Sequence, residues 1–147
     1  MRQLHDDVME YLLAQGANPK IDSEDVLSFP VESTSSWRMD VTVREAEGQV
    51  IVRSVYPLPV PTDRREAVAL FLTYANAGLV IGNFELDMAE GELRFKTSIE
   101  VGSSPLPEAL ARPLFLRNVG TFRRHVPGFE AVIDGEDPVE ALAAVED

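Results

Sequence analysis

Two stretches of strict apolar/polar alternation, each cut by a Glu-Gly pair, constrain the fold of this chain more than any other feature. Trp37, Met39, Val41 and Val43 alternate with Arg38, Asp40, Thr42 and Arg44, and after Glu47-Gly48 the pattern resumes at Val50, Val52 and Tyr56. A period of two marks a half-buried strand. An acidic residue followed by glycine supplies the positive φ angles of a tight hairpin turn. A two-residue loop at Glu47-Gly48 sets Val43 opposite Val52 and Met39 opposite Tyr56, so that apolar residues meet on one face. The second stretch runs through Phe84, Leu86 and Met88 to Glu90-Gly91, then through Leu93, Phe95, Thr97 and Ile99. A two-residue loop there sets Leu86 opposite Phe95 and Met88 opposite Leu93. On the other face it sets Asp87 opposite Arg94 and Glu85 opposite Lys96, each pair adding a few tenths to ~1 kcal/mol.

The segments around these hairpins read as helix. Leu4, Val8, Tyr11 and Leu12 share one face of a helix over residues 2–15, stopped by Gly16 and Asn18-Pro19. Residues 20–36 are polar apart from Val26-Leu27 and Phe29, which predicts loop with room for one short edge strand. Pro57, Pro59 and Pro61 make an extended connector, because proline cannot donate to a ladder. Asp63 and Glu66 have the spacing of a capping box, opening a helix to about Ala77 with Val68, Phe71, Leu72 and Ala75 buried. In the last third, Pro113 restarts or kinks a helix whose stripe is Phe115, Val119, Phe122 and Val126, and Pro127-Gly128 breaks it. Asp137-Pro138 opens a final short helix. The expected fold is α+β: an antiparallel sheet of two hairpins, four to five strands, flanked by helices in the order α-β-β-α-β-β-α-α, with residues 1–147 as one domain.

Composition narrows the function. There is no cysteine, so disulfides and thiolate metal sites are excluded and a reducing cytoplasm is the expected setting. The first residues lack the apolar region of a secretory signal, and no run approaches the length of a membrane helix. The net charge of −12 opposes direct nucleic-acid and membrane binding and favours encounter with basic segments. The two histidines, His5 and His125, stand far apart without a ligand motif, so no metal is expected. No nucleophile elbow, Walker sequence or dinucleotide fingerprint occurs, and Ser103-Ser104 reads as a helix cap. No cofactor and no catalysis are expected.

Two features could carry binding. Arg117, Arg123 and Arg124, with His125, form a basic cluster on one predicted helix. They either oppose the negative end of that helix dipole or hold an anion or acidic partner. Ile51 and Val55, with Arg53, lie on the face of the first hairpin opposite Val50 and Val52. Apolar residues there imply cover, either by one of the chain's own helices or by a partner.

Residues Leu79-Val80-Ile81-Gly82-Asn83-Phe84-Glu85-Leu86-Asp87, followed by Gly91-Glu92-Leu93-Arg94-Phe95-Lys96-Thr97, resemble the signature of the YbjN-like bacterial proteins, often labelled sensory transduction regulators. The helix ending Asn76-Ala77-Gly78 and the region from Asn118 to Pro127 fit the same pattern, and the resemblance spans residues 25–145. It implies a fold like that of type III secretion chaperones, commonly dimeric, and a non-enzymatic role in binding a protein client or regulator. It brings no catalytic residues. The reading is a chaperone-like or regulatory protein-binding domain that forms a homodimer and meets its client through a sheet edge or surface. The alternative is a small-anion binder using Arg117 and Arg124.

Overall fold

The computed structural model describes residues 2–32 and 36–146. Helix α1 (Gln3–Ala14) buries Leu4, Val8, Tyr11 and Leu12, as their spacing predicts. Strands β1 (Lys20–Ile21), β2 (Val26–Val31), β3 (Trp37–Arg44) and β4 (Gln49–Val55) follow. A 3-10 turn (Thr62–Arg64) leads into α2 (Arg65–Gly78), then β5 (Asn83–Leu86), β6 (Leu93–Glu100), α3 (Glu108–Ile133) and α4 (Pro138–Glu146). The six strands form one antiparallel sheet in the order β1-β2-β3-β4-β6-β5.

The α+β class and helix-flanked antiparallel sheet are as expected, but the strand count is not. Residues 20–31 contribute two strands, where loop with one short edge strand is expected, and residues 33–35 of that expectation lie outside the described residues. Leu27, Phe29 and Val31 alternate and pair with Val41, Met39 and Trp37, so the inward face of β3 continues onto β2. That alternation is diluted in the sequence by Ser28 and Pro30, which face outward.

Both hairpins are displaced by two residues from the expected registers. Val43 pairs with Val50 and Val41 with Val52, while Ser54 rather than Tyr56 lies opposite Met39. Leu86 pairs with Leu93, Phe84 with Phe95, and Glu85 with Arg94 rather than Lys96. A two-residue type I′ turn needs positive φ at both central residues. Among the described residues no non-glycine has positive φ, whereas Gly48 (67°) and Gly91 (82°) do. The chain therefore turns over residues 45–48 and 88–91, each loop ending on its glycine. In the second loop the Asp87 carboxylate accepts from the backbone N–H groups of Ala89 (2.9 Å) and Glu90 (3.0 Å). Those two amides, Glu90's most, hold the Asp87 carboxyl below its usual range. A displacement of two preserves each side chain's face, so the expected inward and outward sets survive.

All four helices contribute core residues to the same face of the sheet. One cluster joins α1 and the first half of α3 to Met39, Val41, Val43, Val50 and Val52. The other joins α2, α4 and the second half of α3 to Trp37, Phe84, Leu93 and Phe95. Helix α3 runs unbroken through Pro113 and Pro127, contrary to the expected break. Each proline removes a backbone donor. Phe115, Phe122, Val126, Phe129 and Val132 nevertheless stay buried along its length, and burial of each is worth roughly 1.5–3 kcal/mol. Gly128 is a contact point rather than a stop: a Cβ there would lie 2.7 Å from Phe71 Cζ on α2.

Helix ends are closed mostly from outside. Glu45, in the β3–β4 turn, accepts from the N–H groups of Leu4 (2.9 Å) and His5 (3.0 Å) at the start of α1. The expected Asp63–Glu66 capping box does not form, because the 3-10 turn carries Asp63 past the cap position and α2 begins at Arg65 with no side-chain cap. Asp137 does cap α4, accepting from the N–H groups of Val139 and Glu140, both at 3.1 Å.

Under the sheet one buried polar relay ties α3 to β3, β4 and β6. Trp37 Nε1 donates to Ser54 Oγ (2.9 Å), which donates to Asn118 Oδ1 (2.6 Å). Asn118 Nδ2 donates to the Val52 carbonyl (2.9 Å) and to Thr97 Oγ1 (3.0 Å), and Thr97 donates to the Leu114 carbonyl (2.8 Å). Every donor has an acceptor, which is what allows so polar a set to be buried.

Candidate binding surfaces

Because the helices occupy one face, the other face of the sheet is left to outward-pointing side chains. Ile51, Arg53 and Val55 lie there, as their alternation with Val50 and Val52 requires. Among the described residues none of the three belongs to the clusters packed against the helices. Val55 is nonetheless buried, beside Tyr56, Pro57 and Pro59 of the proline connector and Arg38. Ile51 is half-buried between Thr42 and Ser98 on the neighbouring strands. The rest of the face is charged. Glu85 receives Arg94 (2.9 Å), Lys96 (3.1 Å) and Arg53 (3.6 Å), and Arg38 pairs with Asp40 (2.8 Å). Burial pushes the Glu85 carboxyl upward, but hydrogen bonds and charge from Arg94 and Lys96 outweigh it and hold the group below the usual range.

The basic cluster on α3 is dispersed. Because the helix continues to Ile133, Arg123, Arg124 and His125 lie inside it and do not face its negative end. Arg123 sits over the Trp37 ring at 5.7 Å. Arg124 donates to the carbonyls of Val145 (3.1 Å) and Glu146 (2.7 Å), so the dipole it opposes belongs to α4. Arg117 is exposed. His125 is buried beside Phe71 and Phe84, with Nδ1 donating to the Thr121 carbonyl (2.8 Å). The end of α3 is instead served by Arg64, which donates to the Val132 carbonyl.

The two ends of the sheet differ. At β5, Asn76 of α2 accepts from the Phe84 N–H (2.7 Å) and donates to the Phe84 carbonyl (3.2 Å), imitating a further strand. At the other end β1 pairs only with Leu27 and Ser28. Among the described residues, 29–31 of β2 have no ladder partner on that side. Beneath this open edge lies a groove of about 350 Å³ between the end of α1 and the middle of α3, lined by Tyr11, Phe29, Val31, Phe115, Leu116 and Val119. Leu116 is half-exposed within it. The sequence marks Tyr11, Phe29, Phe115 and Val119 as apolar positions but does not bring them together, although the Leu27, Phe29, Val31 alternation is an available signal.

A third feature is apolar and lies on the shoulder formed by α2 and the segment after it. Leu70, Tyr74, Val80 (93% exposed) and Ile81 all face outward. No charged residue occurs between Ala67 and Phe84. Among the described residues no group of three His, Asp or Glu side chains gathers as a metal site requires, and no helix is long and apolar enough to cross a membrane.

No family model and no curated protein matches the sequence. Among solved structures, YbjN from E. coli, described as a candidate transcription regulator, aligns with a TM-score of 0.55 at 16% identity, over 95% of this chain and 90% of that one. A chain from the HopA1–SchA chaperone–effector complex aligns at a TM-score of 0.44 and 10% identity, over 89% of this chain and 90% of its own. The second alignment is too loose to bear on fold or function. The first spans nearly the whole of both chains, so the likeness read from residues 79–97 is a likeness of architecture: the chain is built on the YbjN-like fold.

Proposed function

We propose that the chain is a non-enzymatic, cytoplasmic protein-binding domain with a chaperone-like or regulatory role, taking an extended segment of a client along the open edge of β2. The observation that carries this reading is the coincidence of an edge left open at residues 29–31, where the Pro30 carbonyl is the outward-facing backbone acceptor, with the apolar groove beneath it. Strand addition draws affinity from main-chain hydrogen bonds and specificity from alternate side chains seated in a groove. The chain's negative charge would favour clients with basic residues beside the apolar ones. We include self-association, with the α2 shoulder as its surface: two copies of charge −12 meet most readily where neither presents charge. The charged outer face of the first hairpin suits that role less well than its sequence suggests. The small-anion reading loses support, because Arg124 is engaged with the carbonyls at the end of α4.

The test is capture from native cell extract with the wild type and with Phe29→Lys and Leu116→Glu, each confirmed as folded by circular dichroism. Proteins held by the wild type and lost by both variants are the expected result. The same set held by all three would overturn the reading. For self-association, light scattering should give the mass of two chains for the wild type and one chain for Leu70→Glu/Tyr74→Glu. A wild-type mass of one chain at high micromolar concentration would refute it.

A further inference from the structure

The outward face of the sheet has a charge pattern opposite to the chain's. Across β3, β4, β6 and β5 the register places Arg38, Val55, Arg94 and Glu85 in one row, and Asp40, Arg53, Lys96 and Asn83 in the next. Arg53 and Lys96 are directly opposed. Like charges in that relation destabilise a ladder unless something lies between or above them. Among the described residues the carboxylate that pairs with Arg53 and Lys96 is Glu85, and it is already shared. Arg94 and Lys96 take it at 2.9 and 3.1 Å, while Arg53 Nε stands off at 3.6 Å. Arg53 Nε is out of contact with solvent and has no hydrogen-bond acceptor. Neighbouring carboxylates are engaged elsewhere: Asp40 holds Arg38 (2.8 Å) and Glu92 holds Arg94 (3.0 Å). The result is a local excess of cation, centred on Arg53 and Lys96, in a chain whose net charge is −12.

We infer that this face is a second docking surface, for a carboxylate-rich segment of a partner protein. Carboxylate side chains laid over Arg53 and Lys96 would relieve their opposition and extend the shared ion-pair network outward. The surface is the flat side of a sheet, which suits an extended segment better than a small molecule. A long phosphate backbone would leave the cluster on every side and meet a negatively charged protein, so a short run of acidic side chains is the better match. This surface is on the opposite side of the sheet from the groove, and the inference does not depend on the groove's role.

The probe is a dye-labelled peptide of alternating Glu and Ser, followed by fluorescence anisotropy at low and physiological salt. The full chain should bind it, more weakly as salt rises. Arg53→Gln/Lys96→Gln should weaken binding about tenfold, the size expected for losing a charge-assisted hydrogen bond. Glu85→Gln should strengthen binding severalfold, because it frees the cations that Glu85 occupies. A purely intrachain ion-pair network predicts no gain. Leu116→Glu, in the groove, should leave binding unchanged. Absence of binding by the wild type, or equal binding by Arg53→Gln/Lys96→Gln, would overturn the inference. So would single-stranded DNA of equal length binding as tightly as the peptide.

Discussion

Replacing Asn118 with leucine tests whether the relay beneath the sheet is what fixes α3 to three strands. The two side chains are similar in size, so the change removes hydrogen bonds more than volume. It leaves the buried Ser54 hydroxyl, which donates to Asn118 Oδ1 at 2.6 Å, without that acceptor, and it removes the second donor of the Val52 carbonyl, which accepts from Asn118 Nδ2 at 2.9 Å besides its place in the β4–β6 ladder. A buried group left without a partner costs about 1–3 kcal/mol. Ser54 has a weak fallback in the Met39 sulfur at 3.0 Å, and leucine regains some apolar burial. The net expectation is a loss of about 1–3 kcal/mol, a sizeable share of the roughly 5–15 kcal/mol typical of a folded domain. Urea unfolding followed by circular dichroism and by Trp37 fluorescence measures it, since Trp37 is the first donor of the relay. Asn118→Leu and Ser54→Ala should also be non-additive, as for residues sharing one network. A loss below about 1 kcal/mol with additive effects would mean that packing alone holds α3, and the hydrogen-bond argument would fail.

Glu45→Ala should cost about 1–2 kcal/mol in thermal or urea unfolding, because two first-turn N–H groups of α1 lose their acceptor, and Glu45→Gln should restore part of it. Gly128→Ala should destabilise by about 1–3 kcal/mol although alanine is the better helix former, since its Cβ would meet Phe71 at 2.7 Å; a more stable variant would show that α2 yields without cost. The carboxyls of Glu85 and Asp87 are both held below their unfolded values, so their contribution to stability is present above roughly pH 4–4.5 and is lost as pH falls through their native values. Urea midpoints measured from neutral pH down to pH 3 should therefore fall less steeply for Glu85→Gln/Asp87→Asn than for the wild type.

What the sequence makes legible here is facing. Alternation in residues 37–56 and 83–100 assigns nearly every strand side chain to its side of the sheet, and a register error of two residues leaves that assignment intact. Loop length is less legible, because Glu-Gly looks the same at the end of a longer turn as in a two-residue one. Only the φ demand on Glu47 and Glu90 separates the two. The prolines of α3 mislead for a related reason. Pro113 and Pro127 are local obstacles, and the contacts that outweigh them come from α2, α4 and the sheet, distant in sequence. The arginines mislead most. Arg117, Arg123 and Arg124 are neighbours along the chain but point to solvent, to Trp37 and to the end of α4. The cations that do gather, Arg53, Arg94 and Lys96, come from different strands and needed a register to be seen together. The groove has the same difficulty, since Tyr11, Phe29 and Leu116 belong to three separate elements.

The side-chain amide of Asn76 limits what assemblies the sheet can form. A sheet with two free edges can add copies head to tail without end, which is how strand pairing becomes fibre growth. Here Asn76 takes up the Phe84 N–H and carbonyl at the β5 margin, so the margin formed by the short β1 and the end of β2 is the freer of the two. An assembly built by strand pairing is therefore expected to join copies through the β1–β2 side. Once that junction forms, the outermost strands are both β5, and growth terminates at a closed pair. Replacing Asn76 would remove the terminator and turn a self-limiting contact into one that can propagate.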